Sequence, residues 1–552
     1  MHLYYLLNTE LAMNNNLKTA SYLVLAMPSI FLSCSKAVEK VSQRPNIIFI
    51  MSDDHTTQAI GAYGSRLAPL NPTPTIDRIG NEGVIMDCAF CTNGISTPSR
   101  ANIVSGQYSQ TNEVLDLGDT LAIERQHLPI EMRKLGYETA VVGKWHLKNL
   151  PENYDYYKVF YDQGEYFDPI LVARGDTDSV SKFVGGKETM FRGKRYEGHS
   201  SDVVMDITLN WLENIRDKSK PFMLCHHFKA PHDLFEFNPR YSDYLEDRFI
   251  PEPASLWNSG NNGSVATRGE RDSLIDVIGS SVGRRNAIRD MGKDLSINEK
   301  FKNLSDFDYK REVYQEYLKR YLRCVKGVDD NVKRLFDYLE ANDLMDNTII
   351  MYTGDQGFFL GEHDYIDKRW MYDEGMRMPF MVRYPEKIKA GTHCDAIVNN
   401  VDYAETIIDM AGGEVPEYMQ GRSFKDILYT GKVPEDWRTA TYYRYWMHMA
   451  HRHANPAHFG IRTKDYKLIF FYGSNYEKKN GGFNTPSQTP AGWEFYDLKA
   501  DPAEMENMYD NPKYSSIISD LKSQLLKMRE DLNETDKEYP HIQQIIDENW
   551  EK

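Results

Sequence analysis

The sequence has 552 residues, 41% of them hydrophobic and 26% charged, a balance that excludes a disordered, collagen-like or multi-span membrane chain. Asp and Glu outnumber Lys and Arg by 81 to 65, for a formal charge of -16, which argues against general nucleic-acid binding but allows a local cationic pocket. Six cysteines are too few to staple a chain of this length.

The segment from Met13, a candidate start, reads as an export signal: Asn-rich and Lys-bearing at first, apolar from Tyr22 to Leu32, then Ser33-Cys34-Ser35. The apolar run is too short to span a bilayer comfortably, so residues 1–43 are expected to be a signal and short linker, and the protein periplasmic. Leu32-Ser33-Cys34 also resembles a lipoprotein cleavage box, which would attach Cys34 to the membrane.

From Arg44, apolar runs alternate with helical patterns. Strands are predicted at Asn46–Met51, Glu138–Val142, Pro221–Cys225, Thr348–Tyr352 and Phe380–Arg383. Helices are predicted at Thr75–Glu82, Leu128–Leu135, Val203–Ile215 and Val313–Leu339, the last as one long helix or a broken pair. Continuous apolar strands separated by helices point to an α/β fold with a mostly parallel sheet covered on both faces. The polar stretch Pro251–Asp306 reads as an insertion over the sheet edge. Past Val433, Thr439–Trp446, Phe459–Tyr472 and Trp493–Leu498 alternate like antiparallel strands, and Tyr514–Leu532 like an amphipathic helix. The expected division is therefore a catalytic domain over 44–433 and a small α+β subdomain over 434–552. Cys88 and Cys91 have C-x-x-C spacing but no second pair for zinc, and read as structural thiols.

Four predicted strands end in polar clusters: Ser52-Asp53-Asp54-His55, Gly143-Lys144-Trp145-His146, His226 to His232, and Thr353-Gly354-Asp355-Gln356-Gly357. In open α/β sheets the ligand crevice lies beyond the carboxyl ends of the strands, so these clusters are expected to meet. Asp53, Asp54, Asp355 and Gln356 offer hard oxygen donors, which favour Ca²⁺ or Mg²⁺ over zinc. Lys144, His146, His232 and Lys368 add cationic or proton-bearing groups suited to a tetrahedral oxyanion such as sulfate or phosphate. In Ser96-Thr97-Pro98-Ser99-Arg100 the proline marks a first helical turn and places Ser96 just before it, where free N–H groups attract anions.

Ser96-x-Pro98-Ser99-Arg100, with Ser105-Gly106 following, resembles the signature of formylglycine-dependent sulfatases in the alkaline-phosphatase superfamily. Asp53-Asp54, Gly143–His146, Ala230-Pro231-His232, Thr353–Gly357, Gly361-Glu362-His363 and Lys368–Tyr372 follow in the same order, and Tyr496-Asp497-Leu498 resembles the C-terminal part. The resemblance covers nearly the whole mature chain. It implies a large mixed, mostly parallel sheet flanked by helices, with a small antiparallel C-terminal sheet. It also implies that a radical maturase oxidises Ser96 to formylglycine, as in serine-type bacterial enzymes, and that the hydrated aldehyde attacks sulfur. Asp53, Asp54, Asp355 and Gln356 would hold one Ca²⁺ together with residue 96. Gln356 departs from the commoner Asn or His. Arg100 and Lys144 would stabilise the hydrate, His146 would take its proton, and His232 and Lys368 would bind sulfate and assist the leaving alcohol.

Exported serine-type enzymes resemble those of glycan-degrading bacteria. Phe167-Asp168-Pro169-Ile170-Leu171, within Gly164–Leu171, resembles a stretch of sulfatases acting on glucosamine 6-sulfate, and Trp493–Leu498 resembles heparan-type sulfohydrolases. The expected substrate is a 6-O-sulfated N-acetylglucosamine or glucosamine unit, attacked at a chain end, with His227, His363, Arg369 and Trp370 as candidate sugar contacts. Two other readings use the same residues: a metal phosphoesterase of the same superfamily with an unmodified nucleophile, and a non-catalytic glycan-binding protein. Against the first stands the lack of a second His-rich site after His363, and Gln356 as a poor zinc ligand. Against the second stands the full set Lys144, His146, His232 and Lys368.

Overall fold

A computed structural model describes residues 44–552 apart from 185, 258–262, 269–278, 285–288 and 477–487. The candidate signal Met13–Cys34 lies outside the described residues. In chain order the large sheet is built from β1 (Asn46–Asp53), β2 (Val84–Met86), β3 (Glu138–Gly143), β4 (Tyr156–Phe160), β5 (Ile170–Ala173), β6 (Lys194–Arg195), β7 (Phe222–Pro231), β8 (Thr348–Gly354), β9 (Phe380–Arg383) and β10 (Thr392–Cys394). Their spatial order is β10-β2-β9-β8-β1-β7-β3-β4-β5-β6. The central run β8-β1-β7-β3-β4 is parallel throughout, and the antiparallel pairs lie towards the two edges.

β1 is fully buried along its length. Its alternate residues feed two separate cores: Ile47, Phe49 and Met51 face one, Ile48 and Ile50 the other. A strand covered on both faces has no polar side to show, which is why it reads as a continuous apolar run. β7 runs further than predicted. Instead of ending at Cys225 it continues through the histidines to Pro231. His226 and His227 are strand residues on opposite faces: Nδ1 of His226 lies 2.8 Å from the Thr208 hydroxyl, and Nδ1 of His227 lies 3.0 Å from the Lys144 carbonyl.

Four helices matter most for the site: α1 (Ser96–Ser105), α2 (Ser200–Asn210), α3 (Asp306–Ala341) and α4 (Ser515–Asp531). α3 is a single unbroken helix of 36 residues, longer than predicted at its start. Ser305 caps it by accepting the Asp308 N–H at 3.1 Å. Val313, Tyr317, Tyr321, Val325, Val328, Val332, Leu335 and Leu339 recur at three- and four-residue spacing and are buried, giving the long stripe by which the helix packs on the sheet.

The C-terminal antiparallel sheet consists of β11 (Ala440–Tyr445), β12 (His458–Thr463), β13 (Tyr466–Phe471) and β14 (Gly492–Asp497), paired in that order. Phe459–Tyr472, read as one alternating stretch, is a hairpin of two strands. α4 packs against this sheet through Ile518, Leu521 and Leu525. The described part of the Pro251–Asp306 insertion, expected over the sheet edge, reaches β14, the edge strand of the C-terminal sheet, and Asp364. Ser264 N–H and Oγ donate to Glu494 of β14 at 2.9 Å, and Ser281 Oγ donates to Asp364 at 3.2 Å. Cys88 and Cys91 are free thiols, half-buried and buried respectively, and burial pushes the Cys91 thiol up, away from redox chemistry. Among the described residues no helix is long and apolar enough to cross a membrane.

Candidate active site

The four polar clusters meet because β8, β1, β7 and β3 are parallel neighbours whose carboxyl ends lie side by side. Asp53, Asp54, Asp355, Gln356, Arg100 and Lys144 are all buried and form the floor. Asp54 N–H donates to Asp355 Oδ1 at 3.1 Å, while Arg100 Nε donates to Asp355 Oδ2 at 3.1 Å. Lys144 Nζ pairs with Asp53 Oδ2, and Lys368 Nζ with both oxygens of Asp54 at 2.8 and 2.7 Å.

Ser96 is the first residue of α1, not the one before it; Ile95 precedes the helix, and its carbonyl accepts the Ser99 N–H at 3.0 Å. Ser96 Oγ donates to Asp53 Oδ1 at 3.2 Å. The positive end of the helix and its unpaired N–H groups therefore face the acidic floor. Every residue of α1 is buried, so it shows no amphipathic pattern. Gly106, at φ +63, ends it, where a side chain would collide with Glu405.

Lys144 is set by its backbone. Gly143 adopts φ +101, and a Cβ there would lie 1.9 Å from the His227 carbonyl, so only glycine lets β3 and β7 approach this closely. The Lys144 N–H donates to that carbonyl at 2.9 Å, and Arg100 Nη1 donates to the Lys144 carbonyl at 2.7 Å. Asp54, at φ 63, is held by α3: the Tyr321 hydroxyl donates to the Asp54 carbonyl at 2.7 Å and accepts the Thr56 N–H at 3.3 Å. His146, Asp162, Asp367 and Arg369 also have positive φ, from 56 to 105. This concentration of left-handed backbone is typical of functional sites.

His232 Nε2 faces Asp54 Oδ2 at 3.8 Å, and its Nδ1 lies 2.5 Å from Asp233 Oδ1. His146 Nε2 lies 3.4 Å from Asp162 Oδ1, and its Nδ1 3.4 Å from the Thr97 hydroxyl. Burial holds both imidazoles down to about 3, against the opposing pull of their aspartates. Both rings are therefore neutral proton acceptors at rest. His232, Asp233, Arg289 and Asp367 keep part of their surface exposed and mark the open side of the site.

The carboxylates fit a divalent cation. Burial pushes Asp54 up to about 7, Lys368 opposes this, and the Asp355 charge adds to it. For Asp355, burial acts upward but Arg100, Lys144 and Lys368 prevail and hold it at about 2. A buried carboxylate crowded by a second one, as Asp54 is by Asp355, would exchange its proton for a metal ion. Gln356 donates its amide nitrogen to Asp54, and its Oε1 is buried with no hydrogen-bond partner. An orphaned amide oxygen beside carboxylates is a ready oxygen ligand. Ligand atoms of Asp53, Asp54 and His232 lie within 4.8 Å of one another, so His232 sits closer to the ion position than the sequence suggested.

Of the four predicted sugar contacts, the structure leaves Arg369 at the site. Its Nε donates to Asp367 Oδ2 at 2.8 Å, and His453 Nδ1 lies 2.9 Å from the same oxygen. Trp370 is fully buried and stacks on Tyr372 and His458, with no face open to a sugar. His363 stacks on Tyr372 and faces Arg268, Glu494 and Lys467, behind the site and against the C-terminal sheet. His227 is buried under the floor and orients Lys144. Sequence reasoning missed Asp162, Asp233, Asp367 and His453. Asp233 was signalled by adjacency to His232 and Asp367 by adjacency to Lys368; Asp162 and His453 carry no local signal.

Residues 45–413 match the family described as Sulfatase, and residues 361–531 the family described as N-sulphoglucosamine sulphohydrolase, C-terminal. The chain is 37% identical over 551 residues to an N-acetylglucosamine-6-O-sulfatase of Bacteroides thetaiotaomicron, covering 94% of this chain and 91% of that protein. It is 26% identical over 425 residues to an N-acetylglucosamine-6-sulfatase of Capra hircus, covering 72% and 66%. A solved structure described as a complex with its substrate D-glucosamine-2-N,6-O-disulfate superposes with a TM-score of 0.74 at 36% identity, covering 90% of this chain and 99% of that one.

Proposed function

Since this chain belongs to the sulfatase family and is a sulfuric ester hydrolase, we propose that it removes the 6-O-sulfate from N-acetylglucosamine or glucosamine units of a glycan, acting at a chain end with a formylglycine made from Ser96 and one Ca²⁺. The observation that carries the reading is Ser96 at the start of α1, with Oγ 3.2 Å from Asp53 and Arg100 on the next helical turn. The substrate assignment rests on the relatives, one named for that sulfate position and one solved with a 6-O-sulfated glucosamine.

Asp53, Asp54, Asp355 and Gln356 would hold the cation, with residue 96 beside it. The ion would supply positive charge for the sulfate oxygens, and the hydrated aldehyde a hydroxyl that attacks sulfur. Lys144 and Lys368, the ammonium groups against Asp53 and Asp54, offset charge that builds on the oxyanion. Arg100 holds Asp355 in place through Nε and Nη2, both at 3.1 Å. His232 directs Nε2 toward Asp54 and, with Lys368, would bind the sulfate and assist the leaving alcohol, while His146 would accept a proton at Nδ1 when sulfate is released. Arg369 with Asp367 and His453 provides donors and an acceptor for sugar hydroxyls, beginning one residue from Lys368. Such pairs discriminate strongly, because a wrong epimer leaves them buried and unpaired.

Maturation by a radical enzyme and export through the Met13–Cys34 segment complete the proposal. Fractionation that finds an uncleaved chain in the cytoplasm would refute export. The substrate is tested with a panel of sulfated mono- and disaccharides scored by desulfated product. Turnover should favour 6-O-sulfated glucosamine or N-acetylglucosamine. Turnover confined to galactose or uronic-acid sulfates would refute the sugar assignment.

A further inference from the structure

We propose that Asp162 is a positioning residue that fixes the imidazole of His146, facing its Nε2–H so that Nδ1 stays unprotonated and able to accept the proton; this rests on the reading of His146 as the proton acceptor.

Asp162 lies just beyond β4, and His146 just beyond β3. The two strands are parallel neighbours, with Gly143 opposite Val159. The register brings two loops together that share no sequence motif. Asp162 Oδ1 stands 3.4 Å from His146 Nε2 and 2.7 Å from Lys148 Nζ. His146, Lys148 and Asp162 all have left-handed backbone, at φ 56, 66 and 56. Three non-glycine residues in that conformation around one carboxylate cost conformational energy, and the arrangement they produce is a Lys–Asp–His line pointing inward.

The far side of the ring faces α1. The Thr97 hydroxyl donates to the His146 carbonyl at 3.0 Å and lies 3.4 Å from Nδ1. Thr97 follows Ser96, so Nδ1 is turned to the first turn of the helix that carries the nucleophile position. A neutral imidazole has one N–H, and the nitrogen that faces a carboxylate carries it. Asp162 thus selects the tautomer with Nδ1 unprotonated. It also favours the imidazolium that forms when Nδ1 takes a proton, in a pocket where burial and Lys144 oppose that charge. Lys148 holds the carboxylate in place. The wall they form opens on a cavity of about 340 Å³ lined also by Trp145, Phe160 and Tyr161, so Asp162 is reached by solvent while the ring is not. A lone pair of this kind at a surface adds little to stability, which leaves orientation of the ring as its consequence.

The test uses the full-length converted enzyme for kinetics and the unconverted Ser96 protein, labelled with ¹⁵N-histidine, for NMR. Asp162→Asn should lower kcat by about 10- to 100-fold with KM little changed, the range seen when a partner of a functional imidazole is lost. Asp162→Glu should recover part of it. In a His146→Ala background, Asp162→Asn should remove nothing further, because it acts through the ring. In the unconverted protein the His146 resonance, identified by its loss in His146→Ala, should show protonation at Nε2, and mixed tautomers in Asp162→Asn. A wild-type tautomer and wild-type kcat in Asp162→Asn, beside an inactive His146→Ala, would overturn the assignment of Asp162 alone. Full turnover by His146→Ala would overturn the reading of His146 and this proposal with it.

Discussion

Tyr321→Phe tests how the fold holds the metal floor. The ring is fully buried, stacked on Phe358 at 6.0 Å and against Phe235 at 5.8 Å, so phenylalanine keeps the packing and opens no cavity. What disappears is one hydroxyl that donates to the Asp54 carbonyl and accepts the Thr56 N–H. Each buried backbone group left unpaired costs about 1–3 kcal/mol. Relief from burying a hydroxyl offsets part, so a net loss of about 2–4 kcal/mol in unfolding free energy is expected. Asp54, at φ 63, loses the contact that holds it there, and its carboxylate should wander relative to Asp53. Calcium affinity should fall by about 10- to 100-fold, equivalent to about 1.4–2.7 kcal/mol. Urea unfolding of the metal-free protein gives the first quantity, and calorimetric titration with calcium the second. Stability within about 0.5 kcal/mol of wild type, with unchanged calcium affinity, would refute the claim that α3 positions the floor.

Asp54→Ala should abolish turnover, and elemental analysis of the wild-type protein should return one calcium per chain; two zinc ions per chain would favour the phosphoesterase alternative. Glu534→Gln tests pH linkage away from the site. Burial pushes the Glu534 carboxyl up to about 7, with Arg444 and Arg529 opposing. Its folded value exceeds its unfolded one, so its contribution is present below the unfolded value of about 4.3 and is lost as pH rises through about 7. Glutamine retains the oxygen that accepts the Gln110 N–H at 2.7 Å. The variant should match wild type in urea at pH 4 and exceed it at pH 8, by up to about 3 kcal/mol; equal midpoints at both would contradict this.

The central strands were legible because β1 is buried on both faces and must be apolar throughout. β7 was legible only to Cys225. Its histidines find partners in Thr208 of the covering helix α2 and in the Lys144 carbonyl beyond β3, and such pairing is invisible to periodicity. The strands β4 and β5 extend the sheet with short runs that an alternation of helix and strand signals does not mark. α1 was legible from its motif and the helix-start proline, not from amphipathic periodicity, since it is buried on all sides. The floor of the site was legible because the parallel sheet converts strand ends into neighbours. The sugar side was misread because proximity in sequence was taken for proximity in space. Lys368 reaches Asp54, yet Trp370, two residues on, stacks into the core. Asp162 depended on the register of two strands, which no local pattern encodes.

The chemistry turns on residue 96. The measurement is the mass of its peptide, taken on the same preparations whose sulfate release from 6-O-sulfated N-acetylglucosamine is timed, with and without a co-expressed radical maturase. Turnover should rise in proportion to the fraction of Ser96 peptide that has lost two hydrogens, and vanish where none has. Full sulfate release from protein with an unmodified Ser96 would contradict the account.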